Sequence, residues 1–242
     1  MLKKQALPVP DSRGLYKTFN KMGFMTSEID PYIADFITQA ASPFLDIGCA
    51  FGQTILFALL EEKEVIANDS LLEHLEVLKT RIDPSKKKNI QFIEGNFPNK
   101  LEFSPNSLGS ILACRVLHFL KGEEIIEGCH KAYHWLRKDG LFCIASETPY
   151  RKNLSEFLPI FEERKKKTDR FPGLIEDVKK YWPNDYQNLP PWLNLLDEDI
   201  INSVLEEAGF RVVFSKSYKK VIELEHVAKG LPNYFISIGK KI

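Results

Sequence analysis

The chain has 242 residues, 44% hydrophobic and 27% charged, which supplies a full globular core and excludes a disordered or low-complexity chain. Lys and Arg (33) equal Asp and Glu (33), so the formal net charge is zero, which argues against a protein held on nucleic acid by phosphate neutralisation. No apolar run reaches the roughly 18 residues that would cross a bilayer, and Met1, Leu2, Lys3 and Lys4 lead to Pro8 and Pro10 rather than to an export segment, so a cytoplasmic protein is expected.

The N-terminal stretch to about residue 41 reads as a helical cover. Asp30-Pro31 pairs an N-cap acid with proline at the first helical position, and Ile33, Phe36, Ile37 and Ala40 follow at helical spacing. Strands are expected over 43–47, 65–68, 90–93, 110–113 and 141–145, alternating with helices that carry apolar residues on one face. One of these helices, over 123–136, presents Ile125, Cys129, Ala132 and Leu136. The turn Lys138-Asp139-Gly140 precedes the fifth strand. The rhythm breaks over 150–196, a segment rich in proline and aromatics that is too long for an ordinary connection and reads as a lid with helices of its own. A helix capped by Asp197 and ended by Gly209 follows, and then strands over 211–215 and 234–238. The alternation predicts a doubly wound α/β sheet. The expected parts are a cover over 1–41, a core over 42–149 and 197–242, and an insertion over 150–196. Cys49, Cys114, Cys129 and Cys143 have no CxxC pairing and are expected to be reduced and mostly buried.

Three strand ends carry the chemistry. In Phe44-Leu45-Asp46-Ile47-Gly48-Cys49-Ala50-Phe51-Gly52 an apolar strand ends in an acid and small residues turn the chain into a helix. Glycines there allow close approach of a ligand and of the next helix. The helix start offers N–H groups to a ligand carboxylate, and Asp46 stands where it can accept from an ammonium group. A strand–turn–helix corner without a ligand uses the same glycines. Val65-Ile66-Ala67-Asn68-Asp69 ends the second strand in an acid, 21 residues after Gly48 (69 − 48). A carboxylate there can accept both hydroxyls of an adenosine ribose or merely cap the next helix; Asn68 and Ser70 flank it. Asn96, after the third strand, has the donor and acceptor for an adenine edge, with Phe97 beside the ring, although Asn-Phe-Pro is also a plain turn.

With these residues in view the chain resembles the class I S-adenosylmethionine-dependent methyltransferases, in their broad small-molecule branch. Ile111-Leu112-Ala113-Cys114-Arg115-Val116-Leu117-His118-Phe119-Leu120 resembles that branch's fourth strand and following turn. Leu136-Arg137-Lys138-Asp139-Gly140-Leu141-Phe142 resembles its turn into the fifth strand, and the last two strands resemble its reversed terminal hairpin. The resemblance implies seven strands with the last antiparallel, and S-adenosyl-L-methionine as cofactor. Asp46, Gly48, Cys49 and Ala50 would meet its methionine half, Asp69 its ribose and Asn96 its adenine, with Cys114 near the sulfonium; Gly52, Asn68, Ser70, Phe97 and Arg115 are further expected cofactor contacts. Ala50 stands where the family usually has glycine, and Asn96 where it more often has Asp. The Asn/Asp-Pro-Pro-aromatic motif of amino methyltransferases acting on bases is replaced by Ala113-Cys114-Arg115-Val116, so a small-molecule acceptor is expected.

Around that cleft, His118 is a candidate general base or a packed turn residue. Arg115 can fork onto a substrate carboxylate, and Glu147, Tyr150 and Trp182 are candidate acceptor contacts. His130 and His134 share zinc-like spacing with Cys129 alongside, but further ligands are missing and no metal is expected. Two other readings share the glycine turn. A nicotinamide-dependent oxidoreductase would want GxGxxG, whereas the chain reads Gly48-Cys49-Ala50-Phe51-Gly52; a catalytically silent binding protein would keep the fold alone.

Overall fold

In the computed structural model the sheet forms where the apolar segments alternate with helices. The structure describes residues 6–219 and 232–242. The opening residues Met1, Leu2, Lys3 and Lys4, on which the expectation of no export segment rests, lie outside them. Strands β1 (Leu15–Lys17) and β2 (Phe24–Thr26) make a short antiparallel ribbon, and helix α1 (Pro31–Gln39) follows. Then come β3 (Phe44–Ile47), α2 (Gln53–Leu60), β4 (Val65–Asp69), α3 (Leu72–Arg81), β5 (Ile90–Glu94), β6 (Leu108–Cys114), α4 (Gly122–Trp135) and β7 (Leu136–Glu147). The insertion holds α5 (Leu158–Lys166), β8 (Leu174–Ile175), α6 (Val178–Tyr181) and β9 (Leu193–Asn194). The chain closes with α7 (Glu198–Glu207), β10 (Phe210–Tyr218) and β11 (Tyr234–Lys241).

The seven-stranded sheet has the order β10-β11-β7-β6-β3-β4-β5. Strands β3 to β7 are parallel, and β11 runs antiparallel to both β7 and β10. From β3 the connections lead outward through β4 and β5, then return to β6 on its other side. Beyond the carboxyl ends of β3 and β6 the loops therefore part and leave a crevice. Parallel strands covered on both faces need nearly continuous apolar sequence, and every residue of β3 and β4 is buried. One face is packed by α1 and α2 through Ile33, Phe36, Ile37, Ile55 and Leu59. The other is packed by α4 and α7 around the fully buried Trp135. Asp30 caps α1 as its sequence suggests, accepting the Tyr32 N–H at 3.0 Å, and its other oxygen accepts the Tyr218 hydroxyl at 2.9 Å.

Two segments depart from expectation. The cover is helical only from Pro31; ahead of it lies the ribbon. Asp11 accepts the N–H groups of Arg13 and Leu15 at 2.9 and 3.1 Å, turning the chain locally before any helix can start. Strand β7 begins at Leu136, so Lys138-Asp139-Gly140 is a bulge inside it rather than a turn before it. The pairing with β6 jumps from Leu108↔Leu136 to Ser110↔Leu141, and Asp139 takes the left-handed φ of +65° that lets the extra residues loop out.

The insertion is pinned at both ends of its path. Its Phe157, Phe161, Val178 and Leu195 enter the core beside α7. Its outer part meets the ribbon, where Arg13 donates to both oxygens of Asp185 at 2.8 and 2.9 Å. Gly23 N–H donates to the Asn188 carbonyl at 2.9 Å, and the Asn188 amide donates back to the Gly23 carbonyl. All four cysteines are free thiols; Cys49, Cys129 and Cys143 are buried and Cys114 half-buried. Among the described residues no helix is long and apolar enough to cross a membrane.

Candidate active site

The turn after β3 is built on left-handed backbone: Gly48 has φ +67°, Ala50 +49° and Gly52 +80°. A Cβ on Gly48 would lie 2.6 Å from Val116 Cγ2, and one on Gly52 would collide with the Leu78 side chain of α3. The two glycines thus serve different neighbours. Gly48 borders the crevice, whereas Gly52, also expected against a cofactor, is not among the residues lining it and instead lets α3 close on the turn. Gly52→Ala is expected to destabilise the fold by about 3 kcal/mol, combining backbone strain with overpacking; urea unfolding would measure this.

The turn is tied to the tip of β4. Cys49 N–H donates to the Asn68 carbonyl at 2.8 Å, and Ala50 N–H to Asp69 Oδ2 at 2.8 Å. Asp69 Oδ1 accepts the Leu71 N–H at 3.0 Å and faces His74 Nδ1 at 2.9 Å. A carboxylate has about four acceptor sites, and protein donors already take three of these. Among the described residues, the remaining acceptor site is on Oδ2. Asn68 staples β4 to the next strand through its amide, which donates to the carbonyls of Ile93 and Gly95 at 3.0 Å each.

Asp46 is 2% exposed and accepts the Thr54 hydroxyl. Burial pushes its pKa up to about 7; the Thr54 hydrogen bond opposes the rise and the neighbouring Asp69 charge adds to it. At neutral pH this carboxyl lies near its midpoint, so a cation placed beside it would draw it into the ionised form.

These residues converge on one cavity of about 470 Å³. Asp46, Gly48, Cys49, Ala50, Asn68, Asp69, Ser70, Asn96, Phe97, Cys114 and Arg115 all line it. Phe97 also packs edge-on against Trp135, with centroids 6.3 Å apart. A second cavity of about 480 Å³ lies beside the first, and the two share Met22, Phe24, Thr26, Glu28, Arg115 and Phe119 as walls. His118, Glu147 and Trp182 line this second space, as do Arg151 and Leu193. Tyr150, the other expected acceptor contact, lines neither cavity. Its ring packs edge-on against Phe161, and its hydroxyl reaches Glu162 at 3.3 Å.

His118 is buried, with Nδ1 2.9 Å from Ser146 Oγ and its ring against Phe119. Burial pushes its pKa down to about 4; Glu147 opposes this, while Arg115 and Arg151 reinforce it. The imidazole is neutral at pH 7 and a weak base. Burial also works to raise Glu147, but the Arg151 and Arg115 guanidiniums hold that carboxyl below its usual range. Arg151 donates to it at 2.7 Å and the Tyr234 hydroxyl at 3.3 Å.

Sequence reading missed the ribbon residues, His74 and Arg151. His74 alone had a local signal: it lies five residues after Asp69 at the start of a helix, on that helix's buried side.

A seven-stranded sheet flanked by helices, with its last strand antiparallel to its neighbours, matches the Rossmann-like methyltransferase fold. Residues 44–140 match the family model described as a methyltransferase domain. Over those residues the chain is similar to that family, and its fold is that of the Rossmann-like methyltransferases. It is similar to an S-adenosylmethionine-dependent methyltransferase from Methanosarcina mazei, at 16% identity over 89% of this chain and 99% of that one, with a TM-score of 0.65. Another, from Mesorhizobium loti, gives 13% identity over 87% and 96% of the two chains and a TM-score of 0.64. The 1,6-didemethyltoxoflavin-N1-methyltransferase of Burkholderia thailandensis, solved with its substrate and S-adenosylhomocysteine, gives 13% identity over 87% and 77%, with a TM-score of 0.59. At these identities the likeness is one of fold. No curated protein matches the sequence.

Proposed function

We propose that this protein is an S-adenosylmethionine-dependent methyltransferase that binds its cofactor in the 470 Å³ cavity and a small-molecule acceptor in the adjoining one. The observation that carries this reading is the convergence of Asp46, Gly48, Asp69 and Asn96, from three strand ends, on a space that opens to a second space past Arg115. Asp46 is suited to the cofactor ammonium, Asp69 Oδ2 to one ribose hydroxyl, Asn96 to the adenine edge, and Cys114 and Arg115 to the junction where the methyl group emerges. Bound there, the cofactor supplies a methyl group on a positively charged sulfur. The protein's part is to align the acceptor and exclude water. The ribbon and the 150–196 insertion, joined through Arg13–Asp185 and Gly23–Asn188, serve as the lid.

His118, neutral and weakly basic, suits an acceptor that is nucleophilic without losing a proton beforehand. The small-molecule reading agrees with the toxoflavin precursor held by the Burkholderia enzyme. Four free thiols suit the reducing cytoplasm.

Thermal unfolding with saturating S-adenosylhomocysteine or NAD tests the cofactor. At about 100 times its Kd a ligand adds about 2.7 kcal/mol, which raises Tm by about 6 °C in a chain of this size. S-adenosylhomocysteine is expected to produce that shift and NAD none. Stabilisation by NAD alone would overturn the reading in favour of an oxidoreductase. Transfer of labelled methyl to a metabolite panel separates an enzyme from a silent binder.

A further inference from the structure

His74 has no part in the cofactor reading above, yet it joins two elements that the reading needs. It is 1% exposed, borders the cavity of about 470 Å³ and stands in the first turn of α3. Its Nε2 accepts the Phe19 backbone N–H at 3.0 Å. The ring therefore carries its proton on Nδ1, which donates to Asp69 Oδ1 at 2.9 Å. Phe51 packs edge-on against the imidazole at 4.9 Å and Phe19 lies 5.5 Å away, fixing the ring plane. A second tie, from the Asn20 amide to Ser70 Oγ at 3.3 Å, runs beside it. Thr18 and Asn20, on either side of Phe19, line the same cavity.

The consequence for Asp69 is directional. Oδ1 takes two donors, Leu71 N–H and His74, and is saturated. Oδ2 takes only Ala50 N–H among the described residues and keeps one acceptor site. The carboxylate is thus locked with one defined lone pair available, and the lock also holds the chain around Phe19 against the cavity.

We propose that His74 is a positioning residue that aims Asp69 Oδ2 at one ribose hydroxyl of the cofactor and ties the 18–20 segment over the nucleoside. This inference rests on the cofactor assignment above. It makes ribose recognition and closure of the N-terminal cover two ends of one imidazole.

The test uses the whole protein and two ligands, S-adenosylhomocysteine and its 2′,3′-dideoxy analogue, with both affinities measured by calorimetry. Wild type is expected to prefer the ribose form by about tenfold, the worth of one hydrogen bond to a charged group. In His74→Leu the preference is expected to fall to about twofold. His74→Asn, whose amide can donate from the Nδ1 position, is expected to restore the preference. The Asn variant lacks the acceptor for Phe19, so its S-adenosylhomocysteine dissociation is expected to quicken about tenfold. A purely structural histidine would lower Tm in both variants and leave the ribose preference at its wild-type value, and that result overturns the proposal. Should His74→Leu fail to fold, His74→Gln, which keeps the Phe19 acceptor and loses the Asp69 donor, takes its place; an unchanged preference there overturns the proposal equally. Failure of wild type to bind S-adenosylhomocysteine would instead refute the cofactor assignment, a separate outcome.

Discussion

Asp69→Ala is expected to weaken S-adenosylhomocysteine binding about 100-fold and to cost about 3 kcal/mol of stability. The binding loss has two sources: the acceptor for a ribose hydroxyl, and the order of the glycine turn, whose Ala50 N–H is held by Oδ2. A hydrogen bond to an ionised group contributes about 1.5–3 kcal/mol, and 100-fold corresponds to about 2.7 kcal/mol. The stability loss follows from leaving the Ala50 and Leu71 N–H groups and His74 Nδ1 without their shared acceptor in a site only 4% exposed. Titration calorimetry and urea unfolding read the two effects separately. Unchanged affinity, with stability lost, would reduce Asp69 to a cap for α3 and remove it from the ribose role.

The second large effect is expected in the pH dependence of cofactor binding. Asp46 has its pKa raised to about 7, mainly by burial, with the Asp69 charge adding to the rise. An ammonium group binds the ionised form, so S-adenosylhomocysteine affinity is expected to fall about tenfold between about pH 8 and about pH 6. The unliganded protein should show the opposite trend in stability. Folded Asp46 keeps its proton up to about pH 7, whereas the unfolded chain releases it near pH 4. Between those limits the native state binds more protons, and stability falls as pH rises. Asp46→Asn is expected to abolish both slopes, and Asp69→Asn to move the binding midpoint downward by removing a neighbouring negative charge. A binding profile that is flat from about pH 6 to about pH 8 in wild type would place the ammonium elsewhere.

Much of this protein can be read along the chain because the decisive patterns are local. Asp46, Gly48 and Gly52 span one strand–turn–helix corner, and Asp69 ends the next strand 21 residues after Gly48. Neighbouring parallel strands end on the same edge of the sheet, so Asp46, Gly48 and Asp69 meet at one cavity once the strand order sets β3 beside β4. Helix α1 could be read for the same reason, since its cap and its apolar stripe lie within ten residues. The neighbour that demands Gly52 was out of reach, because Leu78 comes from another helix.

What folding alone decided lies where contacts span long sequence distances. The ribbon became a wall of both cavities because Gly23 meets Asn188 and Arg13 meets Asp185, pairings about 170 residues apart that no spacing rule encodes. The bulge in β7 arose from its register against β6, a property of two strands rather than of Lys138-Asp139-Gly140. Tyr150 lies outside both cavities because Phe161 and Glu162 offer its ring and hydroxyl partners inside the insertion. Composition and periodicity specify which face of an element must be buried. Only the assembled packing specifies what buries it, since van der Waals contact and hydrogen bonding act over a few ångströms of space irrespective of distance along the chain.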